Sequence, residues 1–551
     1  MPTEPILIVG AGPAGLVLAL SLLQNGIAVR IIDKAKTHRL GERGAGIMPR
    51  TLEVYNILGT LTDVYNKANP LPFSRVYEPP GGTKALNTFH MSPYIEPTGP
   101  CPYKNPVTLG QHRHEAILRS HLEKYGCHVE VATELLSFEQ HESHVTAHLV
   151  YDDGEKQVME SANFPWMIGT DGARSIVRKR LGLSFLGETS TGENIVLGDI
   201  HVKEGLDSEF WHNWGDPARK IASLRPTGQG DNVFTFLIFG REIDHDKVAT
   251  GREEVLKAFY EISGRKDVIF GDLIWISNYR PNMRMVDKFR KGRVFIAGDA
   301  AHCHTPAGAQ GMNSSVQDSF NLGWKLALVH KGLSPPSLLD SYDAERLPVI
   351  AEMLNKSTSL FKQTIKPGAT LGDSAWRRDG DLQQLGVNYR SSAIILDEEA
   401  SESVAPAAYN SGSETEARAG DRAPEAAGLV DITNEDKSTS LFKIFGASYH
   451  TVLVFSGTVE EHTALAEASK KLPKGTVHSV LIASTADEVT TQHKDLFSQV
   501  LLDPQHIAFS TYWTPSDSLG VVVVRPDGVI GARARDVSGL QKYFSGIFLE
   551  A

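Results

Sequence analysis

Four residues near the amino end could together bind a phosphorylated ligand. Gly10, Gly12 and Gly15 form the pattern G-x-G-x-x-G, and the acidic residue Asp33 follows them. In this pattern the first glycine permits a tight turn, the second lets the backbone approach a pyrophosphate, and the third lets a helix pack closely on a strand. Asp33 can accept hydrogen bonds from ribose hydroxyls and would repel a 2′-phosphate. The spacing therefore predicts a site for FAD or NAD and disfavours NADP there.

The neighbouring sequence supplies the elements that would position these residues. We predict a strand over Ile6–Val9, a helix from Pro13 to Asn25, and a second strand over Ala28–Ile32 that leads into Asp33. The helix N-terminus presents free N–H groups and the positive end of the helix dipole to a phosphate. Strand, glycine turn, helix, strand and acid in this order indicate a dinucleotide-binding fold.

A membrane or export role is not expected from the same stretch. Residues 6–23 carry no charge and are long enough to cross a bilayer. Glycines interrupt the stretch, however, and residues 1–5 contain neither Lys nor Arg, which excludes the usual pattern of a signal peptide.

The second chemically informative stretch is RVFIAGDAAHCHTPAGAQGMNSS, residues 293–315. Asp299 follows a predicted strand, Val294–Ala297, and could accept hydrogen bonds from a sugar-alcohol chain. Residues 308–313 lead into a helix that we expect to begin near Asn313. Their backbone N–H groups could lie along a flat heterocycle and stabilise negative charge on it.

Composition excludes several other classes of protein. The 551 residues are 41% hydrophobic and 22% charged, which predicts two or more globular domains. The 55 Lys and Arg against 66 Asp and Glu give a net charge of −11 without a basic cluster, so no nucleic acid or anionic membrane is expected as a partner.

Cysteines and histidines predict neither a disulfide framework nor a metal site. Cys101, Cys127 and Cys303 are far apart and form no C-x-x-C, which is typical of reduced thiols in a cytoplasmic protein. His302 and His304 are spaced like a pair of metal ligands, but no third ligand has suitable spacing, so no metal is expected.

Alternating strand-like and helix-like stretches predict an α/β fold with three parts. We expect a Rossmann-like nucleotide-binding domain over residues 1–397 that includes a strand-rich block, a linker rich in Ser, Glu and Ala over 398–419, and a small α/β domain over 420–551. Within the first part, a helical segment is expected at residues 335–365.

A third stretch, DGARSIVR at residues 171–178, completes a resemblance to a known family. Together with the glycine pattern and the segment around Asp299, it resembles the single-component FAD-dependent aromatic hydroxylases, the family of p-hydroxybenzoate and phenol hydroxylases. In that family this stretch lies near the FAD pyrophosphate, which implies that Ser175 and Arg178 face phosphate.

Two further stretches narrow the resemblance. RGAGIMPRTLEVYNILG, residues 43–59, is similar to the branch that hydroxylates aklavinone and angucycline polyketides. Phenol hydroxylases carry an Asp where this chain has Ala45, so their carboxylate base is missing here. GDRAP at residues 420–424 and VRPDGVIGAR at 524–533 resemble the thioredoxin-like tail of the same group. Without C-x-x-C this domain cannot exchange disulfides, and we expect it to serve packing or dimerisation, with a homodimer as one expected assembly.

The resemblance implies roles for individual residues. Arg43 would lie against the flavin, and Pro306 would form a rigid apolar wall beside the reacting flavin carbon; both are the candidate catalytic residues. The resemblance also implies a β-sheet substrate domain interleaved with the FAD-binding domain, with its sheet mainly at residues 72–105 and 186–285. Substrate walls are expected from the strands that contain Phe234, Phe236, Ile238 and Tyr279. The candidate cofactor-binding residues are Gly10, Gly12, Ala14, Gly15, Asp33, Arg43, Gln111, Asp171, Asp299, Gly311, Met312 and Asn313.

The implied reaction is hydroxylation of a phenolic or polyketide-like aromatic. NADPH or NADH would reduce the bound FAD, O2 would add to it as a C4a-hydroperoxide, and one oxygen atom would pass to the substrate. Oxygen insertion beside a ketone, a Baeyer–Villiger reaction, would use the same cofactor cradle and stays open. A non-catalytic flavoprotein whose tail recruits a partner is the alternative from another class.

Overall fold

The computed structural model describes residues 4–549 apart from residues 80, 153, 155, 190–193, 231, 365, 367–370, 373–375, 379, 401–406, 410–416, 435–436 and 514–517. Most of the predicted linker and the last residue of the predicted helical segment therefore lie outside the described residues.

A six-stranded sheet forms the base of the nucleotide-binding domain. Its central strand is Ile6–Val9, which pairs in parallel with Val29–Ile32 on one side and Met167–Gly169 on the other. The carboxyl ends of these strands therefore meet at one edge, where the glycine pattern and Asp33 follow. The order across the sheet is Arg290–Lys291, Val294–Ile296, Met167–Gly169, Ile6–Val9, Val29–Ile32 and Val129–Glu130.

Three helices cover this sheet and carry the candidate site at their ends. The helix Pro13–Gln24 is almost entirely apolar and buried, and it begins with a proline whose missing N–H costs nothing in the first turn. It packs against Gln310–His330 and Gln111–Glu123. The long helix Gln310–His330 begins three residues before the predicted position and runs through the middle of the protein.

A seven-stranded sheet forms the second layer and is built from two separated parts of the chain. Helix Arg252–Ser263 packs on one face through buried side chains such as Val255 and Phe259. The order of strands is Ile269–Tyr279, Ile195–Glu204, Val233–Phe239, Lys220–Pro226, Phe210–Asp216, Phe73–Tyr77 and Ala85–Phe89.

The C-terminal domain is a mixed eight-stranded sheet with helices on it, an arrangement consistent with the predicted thioredoxin-like fold. Residues 396–397, placed before the linker by the sequence, pair with Ile530–Ala534 and so join this sheet. The order of strands is Leu396–Asp397, Ile530–Ala534, Gly520–Val524, His450–Phe455, Val477–Ala483, Gln499–Leu502, Ala427–Asp431 and Lys437–Ser440.

The C-terminal domain packs into the first domain through a continuous core. The ring centroids of Trp324, on the long helix, and His450, on a C-terminal strand, are 5.3 Å apart. The turn Pro526–Gly528 also reaches the first domain, because Arg50 donates to the carbonyl of Asp527 at 3.0 Å. The C-terminal domain and the first domain therefore share one core within a single chain.

The remaining elements are short strands and surface helices. Among the described residues, no helix is long and apolar enough to cross a membrane. The other strands are Gly46–Ile47, Asn69–Pro70, Val107–Thr108, Thr133–Gln140, Val145–Asp152, Gln157–Phe164, Leu186–Thr189, Asn282–Met285 and His302–Cys303, and the other helices are Pro49–Ile57, Leu61–Tyr65, Ile176–Leu181, His245–Val248, Asp340–Thr364, Leu441–Ile444, Val459–Lys470, Thr491–Leu496, Ile507–Tyr512 and Val537–Ser545.

Candidate active site

The first glycine loop packs tightly on the strand beside it. Gly10 has φ +108°, and a Cβ there would stand 2.5 Å from the carbonyl oxygen of Thr170, so only glycine fits. A Cβ on Gly15 would stand 2.7 Å from Oγ1 of Thr170. Gly12, in contrast, has no other residue within 4 Å of its Cβ position. It precedes Pro13 without any side-chain cap, so the first N–H groups of the helix have no side-chain partner.

Asp33 borders this loop from the end of the second strand. One carboxylate oxygen accepts from the backbone N–H of Ala11 at 3.0 Å, and the other accepts from Ala35 at 2.9 Å. The side chain is partly exposed beside the helix N-terminus. Its position therefore suits an acceptor for a sugar near the glycine loop.

Asp171 and Asp299 lie at the ends of the next two strands of the sheet. Asp171 accepts from the N–H of Ile176 at 2.7 Å with one oxygen, while its other oxygen is buried and accepts no hydrogen bond from the described residues. Burial raises the pKa of this carboxyl. A Cβ on Gly298 would stand 3.2 Å from that of Ala14, so the Asp299 segment lies directly on the first glycine loop.

The guanidinium of Arg178, which the resemblance implies would face phosphate, is engaged by the protein itself. Its guanidinium donates to the carbonyls of Ala300 and Ala173, both at 2.9 Å, and lies over the ring of Phe185. Ser175 caps the helix by accepting from the N–H of Arg178 at 2.9 Å. Arg178 therefore ties the segment around Asp171 to the segment around Asp299.

The start of the long helix meets the loop after Arg43. Asn313 is buried; its carbonyl oxygen accepts from the N–H of Met48 at 2.8 Å, and its amide donates to Gly46 at 2.9 Å and Ala309 at 2.7 Å. Its side chain is thus fully engaged in joining two loops rather than free for a ligand. Residues 311 and 312 are partly exposed, and Gly311 has no other residue within 4 Å of its Cβ position.

Arg43 and Gln111 line the same opening. Arg43 is exposed, has a positive φ of 33°, and lies 5.1 Å above the ring of Trp275. Gln111 accepts from the N–H of Gly44 at 3.3 Å and donates to Glu115 at 2.8 Å. Pro306, in the loop before the long helix, is also exposed.

The prediction that Phe234, Phe236 and Ile238 line a substrate pocket is wrong for this structure. All three are at most 2% exposed and pack in the core under helix Arg252–Ser263. Because side chains alternate along a strand, Thr235 and Leu237 point to the opposite face. The predicted strand is present, but its face with Thr235 and Leu237, and not the face with Phe234, is directed toward the candidate site.

Tyr279 lies on that other face and joins the sheet to the loop before Pro306. Its hydroxyl donates to the carbonyl of His304 at 2.9 Å, and burial raises its pKa. His302 and His304 hydrogen-bond to each other at 3.1 Å, and His302 contacts Asp318 at 2.5 Å. This arrangement fixes the loop. The described residues contain no group of three His, Cys, Asp or Glu that could hold a metal ion.

Two acidic residues of the site were missed by sequence reasoning. Glu42 is fully buried, and its carboxylate accepts from Arg113 and Arg225 at 3.3 Å and from Gln229 at 3.0 Å. Asp199 is 2% exposed and accepts from the N–H of Glu42 at 2.8 Å. An acid in the middle of the apolar strand sequence IVLGDIHV was the signal that could have identified Asp199.

The nucleotide-binding fold and the match to a family model define the class of FAD-binding enzymes. The chain belongs to the FAD binding domain family, whose model matches residues 3–357. The predicted family and α/β fold class are confirmed, and FAD is the cofactor of this family.

Similar proteins specify the reaction type. A flavin-dependent monooxygenase from Mycobacteroides abscessus is 35% identical over 454 residues, covering 82% of this chain and 88% of the relative. Pentachlorophenol 4-monooxygenase from Sphingobium chlorophenolicum is 29% identical, covering 96% and 93%. Aklavinone-11 hydroxylase, solved in a ternary complex with FAD and aklavinone, has the same fold with a TM-score of 0.78 at 24% identity over 98% of both chains. The chain is an FAD-dependent monooxygenase.

Proposed function

We propose that this monooxygenase uses NADPH or NADH and O2 to hydroxylate a phenolic or polyketide-like aromatic. The observation that carries the proposal is the convergence of the glycine loop, the Asp299 segment and the Arg43 loop opposite one face of the seven-stranded sheet. The similarity over nearly the whole chain to an enzyme named for pentachlorophenol supports a phenolic substrate.

The residues of the groove fit FAD. Gly12 and Gly311 leave open space at helix N-termini, where N–H groups favour negative charge. The carboxylate of Asp299 is exposed and accepts no hydrogen bond from the described residues. We infer that Gly12, with Gly10, Ala14 and Gly15 shaping its turn, holds the pyrophosphate, Asp33 a ribose and Asp299 the ribityl chain. Bound FAD, reduced by NAD(P)H, supplies activation of dioxygen and delivery of one oxygen atom to the substrate.

Four residues would surround the flavin ring in this proposal. The N–H groups of Gly311 and Met312, at the positive end of a helix dipole, stabilise negative charge on the pyrimidine edge. Arg43 adds a cation at the same opening. Pro306 excludes water as a rigid apolar wall without an N–H group. Asn313 and Gln111 would not contact the flavin themselves; they hold the Arg43 loop in place through hydrogen bonds to its backbone.

The substrate would lie between this ring and the sheet. Leu197 and Leu237 are partly exposed cross-strand neighbours on the face opposite the Phe234 core, and Tyr279 lies on the same face. These side chains offer an apolar wall with one hydroxyl, which suits a flat aromatic. Ala45 leaves no carboxylate at the position of the phenol hydroxylase base, so we expect a substrate that is already electron-rich.

A substrate screen tests the proposal. Purified protein carrying FAD is mixed with NADPH or NADH and a panel of phenols, naphthols, anthraquinones and tetracyclic polyketides, and NAD(P)H and O2 consumption are recorded. At least one aromatic compound should stimulate both, and product NMR should show a new ring hydroxyl. If the NMR spectrum shows a lactone instead, the reaction is a Baeyer–Villiger insertion and not a hydroxylation. If none of these compounds accelerates NAD(P)H oxidation, the proposal is rejected.

A further inference from the structure

Asp199 is an unusual carboxylate because it is buried without a cation. It lies in the middle of strand Ile195–Glu204, is 2% exposed, and forms no ion pair with the described residues. One oxygen accepts from the N–H of Glu42 at 2.8 Å and from Nε1 of Trp275, and the other accepts from Thr235 at 2.9 Å. Burying an unpaired carboxylate is costly, so its hydrogen bonds must compensate.

One of these three hydrogen bonds connects the sheet to another part of the protein, and the other two lie within the sheet. Asp199 and Trp275 are direct partners on neighbouring antiparallel strands, so their positions relative to each other are fixed by the sheet. The N–H of Glu42, in contrast, belongs to the loop that comes from the nucleotide-binding domain. Asp199 therefore joins the substrate sheet to this loop.

Trp275 contacts the same loop on both sides of Glu42. Its indole lies against Gly41, where φ is +109° and a Cβ would overlap the ring. The guanidinium of Arg43 lies 5.1 Å from the centre of the same ring, within the range of a cation–π contact. One indole thus makes contact with the residues before and after Glu42.

The backbone of Arg43 needs such support. A non-glycine residue with φ of 33° costs on the order of 1 kcal/mol and persists only where its neighbours hold it. Glu42 is held on one side by Arg113, Arg225 and Asp199, and Gly44 is held on the other by Gln111. The exposed Arg43 side chain is therefore presented from a backbone that is fixed at both ends.

We propose that Asp199 and Trp275 are positioning residues that hold Arg43 in its place at the flavin and thereby couple the substrate sheet to the cofactor. The inference rests on the proposed function, in which Arg43 lies against the flavin. A substrate bound between the sheet and the flavin contacts the sheet face that carries Asp199 and Trp275. Its binding is therefore transmitted to Arg43 through this pair.

Four variants separate this role from a general loss of structure. Asp199→Ala removes the acceptor for the N–H of Glu42 and for the Trp275 indole, and Trp275→Phe keeps an aromatic ring but removes the donor to Asp199. Asp199→Asn keeps an oxygen acceptor for the two N–H groups, and Thr235→Val removes only the third hydrogen bond. The FAD dissociation constant, kcat, KM and the ratio of product to NAD(P)H consumed are measured for each holoenzyme.

Asp199→Ala and Trp275→Phe should lower kcat at least tenfold, raise the FAD dissociation constant at least fivefold, change KM less than threefold, and reduce product per NAD(P)H. Asp199→Asn should restore kcat to within about threefold of wild type, and Thr235→Val should stay within twofold. If Thr235→Val is as damaging as Asp199→Ala, or Asp199→Asn fails to restore kcat, the positioning role is rejected.

A double-mutant cycle with Arg43→Ala tests whether Asp199 acts through Arg43. In the Arg43→Ala background, Asp199→Ala should have at most a twofold further effect on kcat and on the FAD dissociation constant. Multiplicative effects in both measurements would overturn the proposal. If the wild type oxidises no aromatic compound, the proposed function fails, while the cycle on FAD binding still decides the role of Asp199.

Discussion

Arg525 and Glu345 form a two-pronged salt bridge, with distances of 2.7 and 2.9 Å, between side chains that are both fully buried. Arg525 comes from the C-terminal domain and Glu345 from helix Asp340–Thr364 of the first domain. Glu345 also accepts from Lys325 at 2.7 Å and from Asn321 at 2.6 Å, both on the long helix. The same helix carries Gly311 and Met312 in its first turn, so the C-terminal domain supports the element that borders the candidate flavin site.

Breaking this bridge should destabilise the whole protein. Arg525→Met leaves Glu345 and Asp527 buried with one cation fewer, and removing one partner of a buried pair typically costs about 3–5 kcal/mol. We expect a clearly lower melting temperature and weaker FAD retention. Arg535→Met, which removes the partly exposed pair with Glu399, is the matched control and should leave the melting temperature unchanged. Equal melting temperatures for both variants would contradict the structural role of the Arg525–Glu345 bridge.

Substitutions of glycine by alanine can distinguish the glycines that FAD binding requires from those that folding requires. Gly12→Ala and Gly311→Ala add a methyl group where no other residue lies within 4 Å, so both variants should fold with wild-type melting temperatures. If FAD occupies that space, each should weaken FAD binding at least tenfold in a fluorescence titration. Gly10→Ala should instead fail to fold, because its Cβ would overlap Thr170. Gly99→Ala, at an exposed glycine with open space around it, is the control and should bind FAD like the wild type. Unchanged FAD affinity in Gly12→Ala and Gly311→Ala would show that neither residue contacts the cofactor.

Asp299 gives a visible test of the cofactor assignment. Asp299→Ala removes an exposed carboxylate that contributes no hydrogen bond to the described residues, so the fold should persist. If Asp299 holds the ribityl chain, the purified variant should be colourless, and its FAD dissociation constant should rise at least tenfold. Asp487→Ala, an exposed carboxylate in the C-terminal domain, should yield yellow protein. Full flavin content in Asp299→Ala would show that Asp299 is not a ligand.

The first strand and helix of the nucleotide-binding domain could be predicted from local sequence signals. The structure has the first strand at Ile6–Val9 as predicted, and the first helix at Pro13–Gln24 ends one residue earlier than predicted. Glycine turns, a proline at the first helical position and uninterrupted apolar runs act within a few residues, so they can be read from sequence. The helix that begins at Gln310 was predicted too late because Gly308 and Ala309, both at positive φ, allow the chain to turn earlier.

The features that could not be predicted from the sequence depend on contacts between distant parts of the chain. The alternation around Phe234 correctly indicates a strand, but alternation alone does not say which face packs on a helix and which faces the site. Arg525 and Glu345 are 180 residues apart, and neither residue carries a local signal for the other. Glu42, beside Arg43, could have been noticed by its position, but its three donors come from distant parts of the chain.

His450 provides a test of stability against pH. Burial among Trp324, Tyr543 and Phe544 lowers the pKa of His450 to about 3, compared with an ordinary value of 6.5. The unfolded chain therefore takes up a proton below pH 6.5, whereas the folded chain stays neutral until about pH 3. The contribution of His450 to stability is complete above pH 6.5 and is lost as the pH falls from there toward 3.

Replacing this side chain should flatten the acid side of the stability profile. Between pH 7.5 and 5.5, one such histidine accounts for about 1.4 kcal/mol of lost unfolding free energy. His450→Phe, which suits the surrounding rings, should lose about that much less than wild type over the same interval in urea unfolding. His128→Phe, at an exposed position, should follow the wild-type profile. A His450→Phe profile parallel to wild type would mean that His450 is not held neutral in the folded protein, and that the core between the two domains is more hydrated than its packing indicates.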